Sequence, residues 1–498
     1  MGEQNPLLEE MLARAEVSVK QLGEQLSDLK ARQDSVGLEG VVLKTVLKLG
    51  AAWLGVILSA WAVELAREAG TRRQCACGGV ARWVSLRGKT ILTLLGKVSY
   101  ERVYYHCKQC KQGGGLGDRA WGLIQTRTSP AVKQLLAYLS ATTVGFATVA
   151  QNVCRTMCWP KHWLSGKQVQ RLAEPLGSRL DELEAAKVAS WWGALTAGLS
   201  AELAIAQPES PTRVEASGEP ATKLPTRLYI EMDGIFARLR GDGDKGSDCW
   251  REVKIGAVFW AERGRHASKL AELVGAVGAR LGRSVRVWVD RPKGAISYVA
   301  GLWPAASFGV RLYAEAVVRG LERATEVVIL GDGALWIWKL AEEHFPGATA
   351  ILDFHHAKEW VWDVAQAVWG EGSAKAREWA EAQIEQHLIR GDASGLIQAI
   401  ACLPNVSPLE GQNKSLPERA MEYFQKNADR MHYPEYRARG LEIGSGIAES
   451  SGRRVVGVRC KQPGMRWCEE GLSAIVGLRA HVLSNRYDSA IAGLPVAA

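Results

Sequence analysis

The sequence predicts an α/β protein in several parts: a mixed sheet flanked by helices, preceded by a small cysteine-bearing sheet and a helical segment. Three observations predict it. After residue 227, apolar strands of antiparallel type give way to strand–helix alternation, the pattern of a mixed sheet. Two cysteine pairs, Cys75/Cys77 and Cys107/Cys110, flank short β-rich runs. On either side of the cysteines, apolar residues recur at helical spacing. A chain of 498 residues exceeds one ordinary domain and predicts roughly three.

Residues 1–70 read as two helices suited to packing or self-association. Within them, LGAAWLGVILSAWAV (49–63) falls short of the ~20 apolar residues that span a bilayer, so a buried helix is expected and no membrane. The opening MGEQNPLLEE is acidic and without an apolar core, so no secretory leader is expected. Ten cysteines in that setting point to a reducing compartment, where thiols serve as metal ligands or core residues.

Residues 71–125 form a zinc-ribbon-like module in which Cys75, Cys77, Cys107 and Cys110 would hold structural Zn2+. The second knuckle is C-x2-C; the first is C-x-C, a departure that strains a tetrahedron. Residues 126–205 read as a helical segment. Pro130 suits a first turn, and Ser165 is a candidate N-cap before Lys167, Gln168, Gln170 and Arg171, compatible with helix-turn-helix DNA reading. A Pro/Ser/Thr/Glu-rich linker, 206–226, marks a domain boundary.

From 227 to 490, RLYIEMDGIFARL, CWREVKIGAVFWA and SVRVWVD read as three strands, and 293–324 as helical. EVVILGDGALWIWKLAEEHFPG and ATAILDFHHAKEW then each read as a strand running into a helix. Polar helical sequence at about 364–440 reads as an insertion. Two closing helices fall around 445–458 and 468–485.

Charge points to a partner. The net +9 is unevenly placed: residues 70–170 carry fifteen Lys or Arg against two acids, Glu101 and Asp118, a local excess of +13. A basic block inside folded sequence suggests a polyanion, most often nucleic acid.

Three acids stand out. Asp233 follows the apolar LYI and precedes Gly234; Asp332 ends VVILG at a strand's carboxyl edge, where open α/β sheets place ligands; Glu449 lies in the late helix. A buried carboxylate is costly unless paired or bound to a cation, and Mg2+ or Mn2+ is the hard-ion relief. Two such ions could serve phosphoryl transfer.

The segments REVKIGAVFW, GDGALWIWKLAEEHFPGATAILDFHHAKE and IGSGIAESSGRRVVGVRCKQPGMRWCEEG resemble signature segments of bacterial insertion-sequence transposases of the ISKra type, related to Mutator-like DDE transposases. The resemblance spans about residues 70–490. It implies a ribonuclease-H-like catalytic domain that uses two Mg2+ or Mn2+ ions to cut and join DNA strands. Its Asp/Asp/Glu triad falls on Asp233, Asp332 and Glu449, with His356 matching the family histidine as a phosphate- or water-orienting group or a structural one. Implied partners are double-stranded DNA, as terminal repeats and target, and further copies of the chain on that DNA, in a bacterial cytoplasm at the nucleoid. The alternative is a catalytically inactive, domesticated DNA-binding protein or regulator derived from a transposase.

Downstream, Arg453, Arg454, Arg459, Lys461 and Arg466 form a basic run with no acid from Ser450 to Cys468, suited to gripping phosphates. Trp336, Trp338, Trp360 and Trp362 read mainly as core, with base stacking the other use. The stretch GSGIAESSG fits neither G-x-G-x-x-G nor a G-x4-G-K-[ST] loop, so nucleotide binding is disfavoured. Its glycines turn the chain, with Ser445 a candidate N-cap, before a helix that aims Glu449 at the aspartates.

Overall fold

The computed structural model describes residues 6–32, 35–124, 126–205, 227–241, 249–260, 296–404, 406–408, 410–444 and 446–494; the side chains of 28, 29, 31, 32, 35, 36, 448 and 449 are excepted. The linker 206–226, the strand expected at SVRVWVD and the cap expected at Ser445 lie outside these residues. The chain divides into two compact units, Met1–Gly177 with Ile491–Ala498, and Ser178–Ala490.

In the first unit, α1 (Pro6–Arg32) and α2 (Ser35–Ala69) form the expected pair, joined by a hydrogen bond from the Trp53 indole to the Met11 carbonyl (2.8 Å). The burial expected of 49–63 holds on one side only. The helix runs 35 residues; its 37–69 stretch is long and apolar enough to cross a membrane, and 22% of its most apolar window is buried. Val56, Leu58 and Ala62 are buried while Trp61 and Val63 are exposed, because only one face meets β3.

A four-stranded antiparallel sheet follows: β1 (Arg72–Gln74), β2 (Val80–Thr93), β3 (Gly96–Cys107) and β4 (Gly113–Gly115). Tyr100, Val98 and Ile91 pack with Leu123 and Leu58. Asp118 is buried beneath the sheet, taking Lys89 (3.3 Å), Arg102 and the Tyr100 hydroxyl (3.3 Å). One of the two acids in the basic block is thus matched internally, and burial first, then Arg102, brings Lys89 down to about 8. Ser129 caps α3 (Pro130–Thr142), whose Pro sits in the first turn. After α4 (Phe146–Thr156), Ser165 and Gln168 form a reciprocal capping pair that starts α5 (Gly166–Thr196).

The units divide inside α5, at Gly177, and not at the expected linker. The reason lies in its second half: Trp191 and Trp192 pack on Tyr313, a residue of the second unit.

That unit is built on five strands: β5 (Arg227–Leu239), β6 (Cys249–Trp260), β7 (Ile296–Gly301), β8 (Glu326–Gly331) and β9 (Thr349–Leu352), in spatial order β7-β6-β5-β8-β9. The β5–β6 and β6–β7 pairs are antiparallel, and β5–β8 and β8–β9 are parallel. The expectation of helix across 293–324 fails at ISYVAG, which pairs with β6 and is buried over its last five residues. A run buried on both faces carries no alternation and is not separable from a helix by periodicity alone. Helix begins only at α6 (Ala305–Val318).

One face of the sheet is covered by α6 and α7 (Leu335–His344); Gly256 leaves room for Leu312 and Phe308. Beyond α8 (Phe354–Trp369), helices Ala374–Gln383, Ala393–Ala401, Leu416–Asn427 and Tyr433–Ala438 join the same core. The chain continues through α-helix Gly446–Ser451, a π-helical stretch Gly452–Gly457 and Val458–Cys460, and then Glu469–Leu483.

Candidate functional site

Two sets of residues can do chemistry. In the first unit, Cys75, Cys77, Cys107 and Cys110 place all four sulfurs within 4.8 Å of one another. The Cys75–Cys110 and Cys77–Cys107 separations are 3.6 and 3.7 Å. A tetrahedron with ~2.3 Å metal–sulfur bonds has edges of about 3.8 Å, so this spacing suits a metal such as zinc. The C-x-C knuckle closes because Gly78 takes φ +84 and donates to the Cys75 carbonyl (2.9 Å), turning both sulfurs inward. The Cys110 amide brings the Cys107 thiol down to about 7. At Cys110 the Gln112 amide favours the thiolate, but desolvation and the three neighbouring thiols outweigh it and push the group up to about 12. A bound cation would offset the mutual repulsion of neighbouring thiolates and displace their protons.

In the second unit, register brings carboxylates together. Met232 pairs with Gly331, and Gly331 with Leu352. The next residue on each parallel strand is Asp233, Asp332 and Asp353, so three acids stand side by side at one end of the sheet. The Asp353 amide donates to the Gly331 carbonyl (2.9 Å), continuing the ladder to that point. Asp353 is buried and caps α8, accepting from the His355 amide at 2.6 Å. Sequence reasoning took His356 from this strand end and passed over Asp353. Its signal was the one that marked Asp332, an acid directly after a buried apolar strand.

Asp233 accepts from the Gly234 amide (2.7 Å). Burial first, then the charge of Asp332, pushes its carboxyl up to about 6; the Gly234 amide and His356 pull the other way, and Asp353 adds to the rise. Asp332 is held by the Ala334 amide on Oδ1 (2.9 Å), and its carbonyl accepts from the Tyr423 hydroxyl (2.8 Å). Gly333, at φ +99, lies over the Tyr423 ring, where a Cβ would sit 2.5 Å from a ring carbon. The 364–440 region therefore buttresses the turn that carries Asp332. His356 is partly exposed, with Nδ1 3.2 Å from Glu359.

The glycine stretch docks onto these strand ends. The Ile443 carbonyl accepts from the Phe354 amide (2.9 Å), and Gly444 lies against His355. A Cβ on Gly452 would stand 3.4 Å from Asp233 Oδ2, so the helix backbone passes directly over that carboxylate. Glu449 occupies the helical position three residues earlier; its side chain lies outside the described residues.

Among the described residues, the cysteines alone bring three or more His, Cys, Asp or Glu ligand atoms within 4.8 Å of one another; the three aspartates do not form such a group. Arg453, Arg454, Lys461 and Arg466 are exposed. Arg459 is not a surface grip: it is 1% exposed, stacked 5.0 Å over Trp467 and 3.9 Å from the Met465 sulfur. Trp338 is buried and bonds Asn427 (2.8 Å), while Trp336, Trp360 and Trp362 pack at the core's edge.

No family model matches this sequence, and no curated protein matches it.

Proposed function

We propose that the protein is a DNA transposase that cleaves and joins strands with the carboxylates Asp233, Asp332 and Glu449 in a ribonuclease-H-like domain. One observation carries this reading: aspartates at the same register level on three adjacent parallel strands, crossed at Gly452 by the helical stretch that continues from the helix bearing Glu449. The strand order β7-β6-β5-β8-β9, an antiparallel meander extended by two parallel strands, supports the fold assignment.

The residues fit a divalent cation chemically. Oxygen donors gathered at a partly buried sheet end, with Asp233 raised to about 6 by desolvation and its neighbours, are relieved by positive charge. Mg2+ or Mn2+, two ions in the proposed reading, would supply Lewis-acid activation there. The chain's own residues do the rest. The Ala334 amide and the Tyr423 hydroxyl hold Asp332 in place, and His356, whose charge bears on Asp233, would bond a phosphate oxygen or a water. Arg453, Arg454, Lys461 and Arg466 grip the DNA backbone. Zinc at the four cysteines rigidifies the basic first unit, which with the start of α5 binds the terminal repeats.

The test is cleavage of a labelled duplex carrying the element's end, with Mg2+ or Mn2+. Asp233→Asn, Asp332→Asn and Glu449→Gln each lower cleavage at least ~100-fold while duplex affinity holds. Cleavage by all three at the parent's rate sinks the assignment. Binding without cleavage by the parent itself selects the inactive DNA-binding alternative.

A further inference from the structure

Beyond Asp233, the β5–β6 pair runs on as a two-stranded ribbon. Its pairs Gly234–Lys254, Phe236–Glu252 and Arg238–Trp250 project to one face, since alternate residues share a side. On that face Phe236 is 54% and Trp250 57% exposed, large rings left to solvent at diagonal positions about 7–8 Å apart at Cα. Arg238 stands opposite Trp250, and Arg240 follows on the same face. Among the described residues of that face the one acid, Glu252, is matched by Lys254 at 2.7 Å, whose ammonium in turn lies 5.2 Å over Trp336. The outer end of the ribbon is tied to the basic run: the Arg240 amide donates to the Trp467 carbonyl (2.8 Å), which sets Arg466 beside it.

We infer that this ribbon face is a stacking platform for unpaired nucleotide bases. Exposed rings interleaved with arginines, with the one acid among the described residues of that face neutralised, match the two parts of a single strand: flat faces and a phosphate backbone. A protein partner would call for aliphatic surface between the rings, and the ribbon offers cations there. Phe236 follows Asp233 by three residues, about 10 Å along the strand and on the opposite face. The platform therefore takes bases displaced from the duplex and not the phosphate at the carboxylates. The inference rests on the proposed function only for the nature of the partner, not for catalysis.

The test uses the full-length protein and a 12-nucleotide single strand carrying 2-aminopurine, beside the matching duplex. Stacking quenches the 2-aminopurine in the parent. Phe236→Ala and Trp250→Ala each weaken single-strand binding roughly 5- to 100-fold and restore the fluorescence. Trp250→Phe keeps most of the affinity, and duplex binding changes less than about twofold in all three. Single-strand affinity unchanged in both alanine variants overturns the inference, as does failure of the parent to bind single strands. Altered sedimentation with unchanged DNA affinity assigns the face to a second copy and overturns it too. Asp233→Asn binds the single strand like the parent; if cleavage is absent while this Trp250 dependence holds, the catalytic reading falls and the platform stands.

Discussion

At the level of single residues, Asp233 makes the sharpest claim. Its carboxyl is raised from 3.8 to about 6 by burial and by Asp332, so the ionised form is penalised in the folded protein. Stability from the protonated form is complete below pH ~4 and is lost as pH rises through 6. Asp233→Asn should therefore stabilise the cation-free protein at pH 7–8, by up to about 3 kcal/mol, with the gain vanishing below pH 4. Thermal melts across pH check this, and added Mg2+ or Mn2+ should raise the parent's midpoint more than the variant's. Arg459 behaves in the opposite way, serving packing and not the site. It belongs to a basic run in sequence, yet helical periodicity turns it inward onto Trp467, so Arg459→Ala should lower stability where Arg453→Ala lowers DNA affinity. An urea melt beside a binding isotherm separates the two.

Among the elements, parallel register is what assembles the site. Asp332 was legible because it directly follows a buried apolar strand, and Asp353 carried the same mark. That the two flank each other, with Asp233 beside them, depends on which strands pair and at what offset. β7 was misread because a strand buried on both faces has no period-two signature, and its neighbour β6 supplies the missing evidence. The helical character of 364–440 was visible in sequence, but its use was not. Leu416–Asn427 reaches back to brace Asp332 through Tyr423, from 91 residues away. Tyr423→Phe removes that one hydrogen bond at a cost of ~1 kcal/mol in stability. If the brace positions Asp332, cleavage falls about tenfold with duplex affinity unchanged, and equal loss of both denies the positioning role.

For the whole molecule, the two compact units predict two calorimetric transitions. With zinc at the cysteines, a chelator should lower one transition by on the order of 10 °C and leave the other in place. Elemental assay of the purified protein reports the bound metal directly; a chelator that moves neither transition removes zinc from the account. Local chemistry is enough to set the helices, the cysteine knuckles, most strands and the chemical character of each acid. These follow from side-chain size, polarity and spacing over a few residues. Which sulfurs meet across a C-x-C turn, which aspartates stand abreast, which arginine is buried and which rings stay exposed are settled only by folding. Most of those depend on residues tens of positions apart, and such pairings arise from sheet register and core packing, which no local pattern encodes.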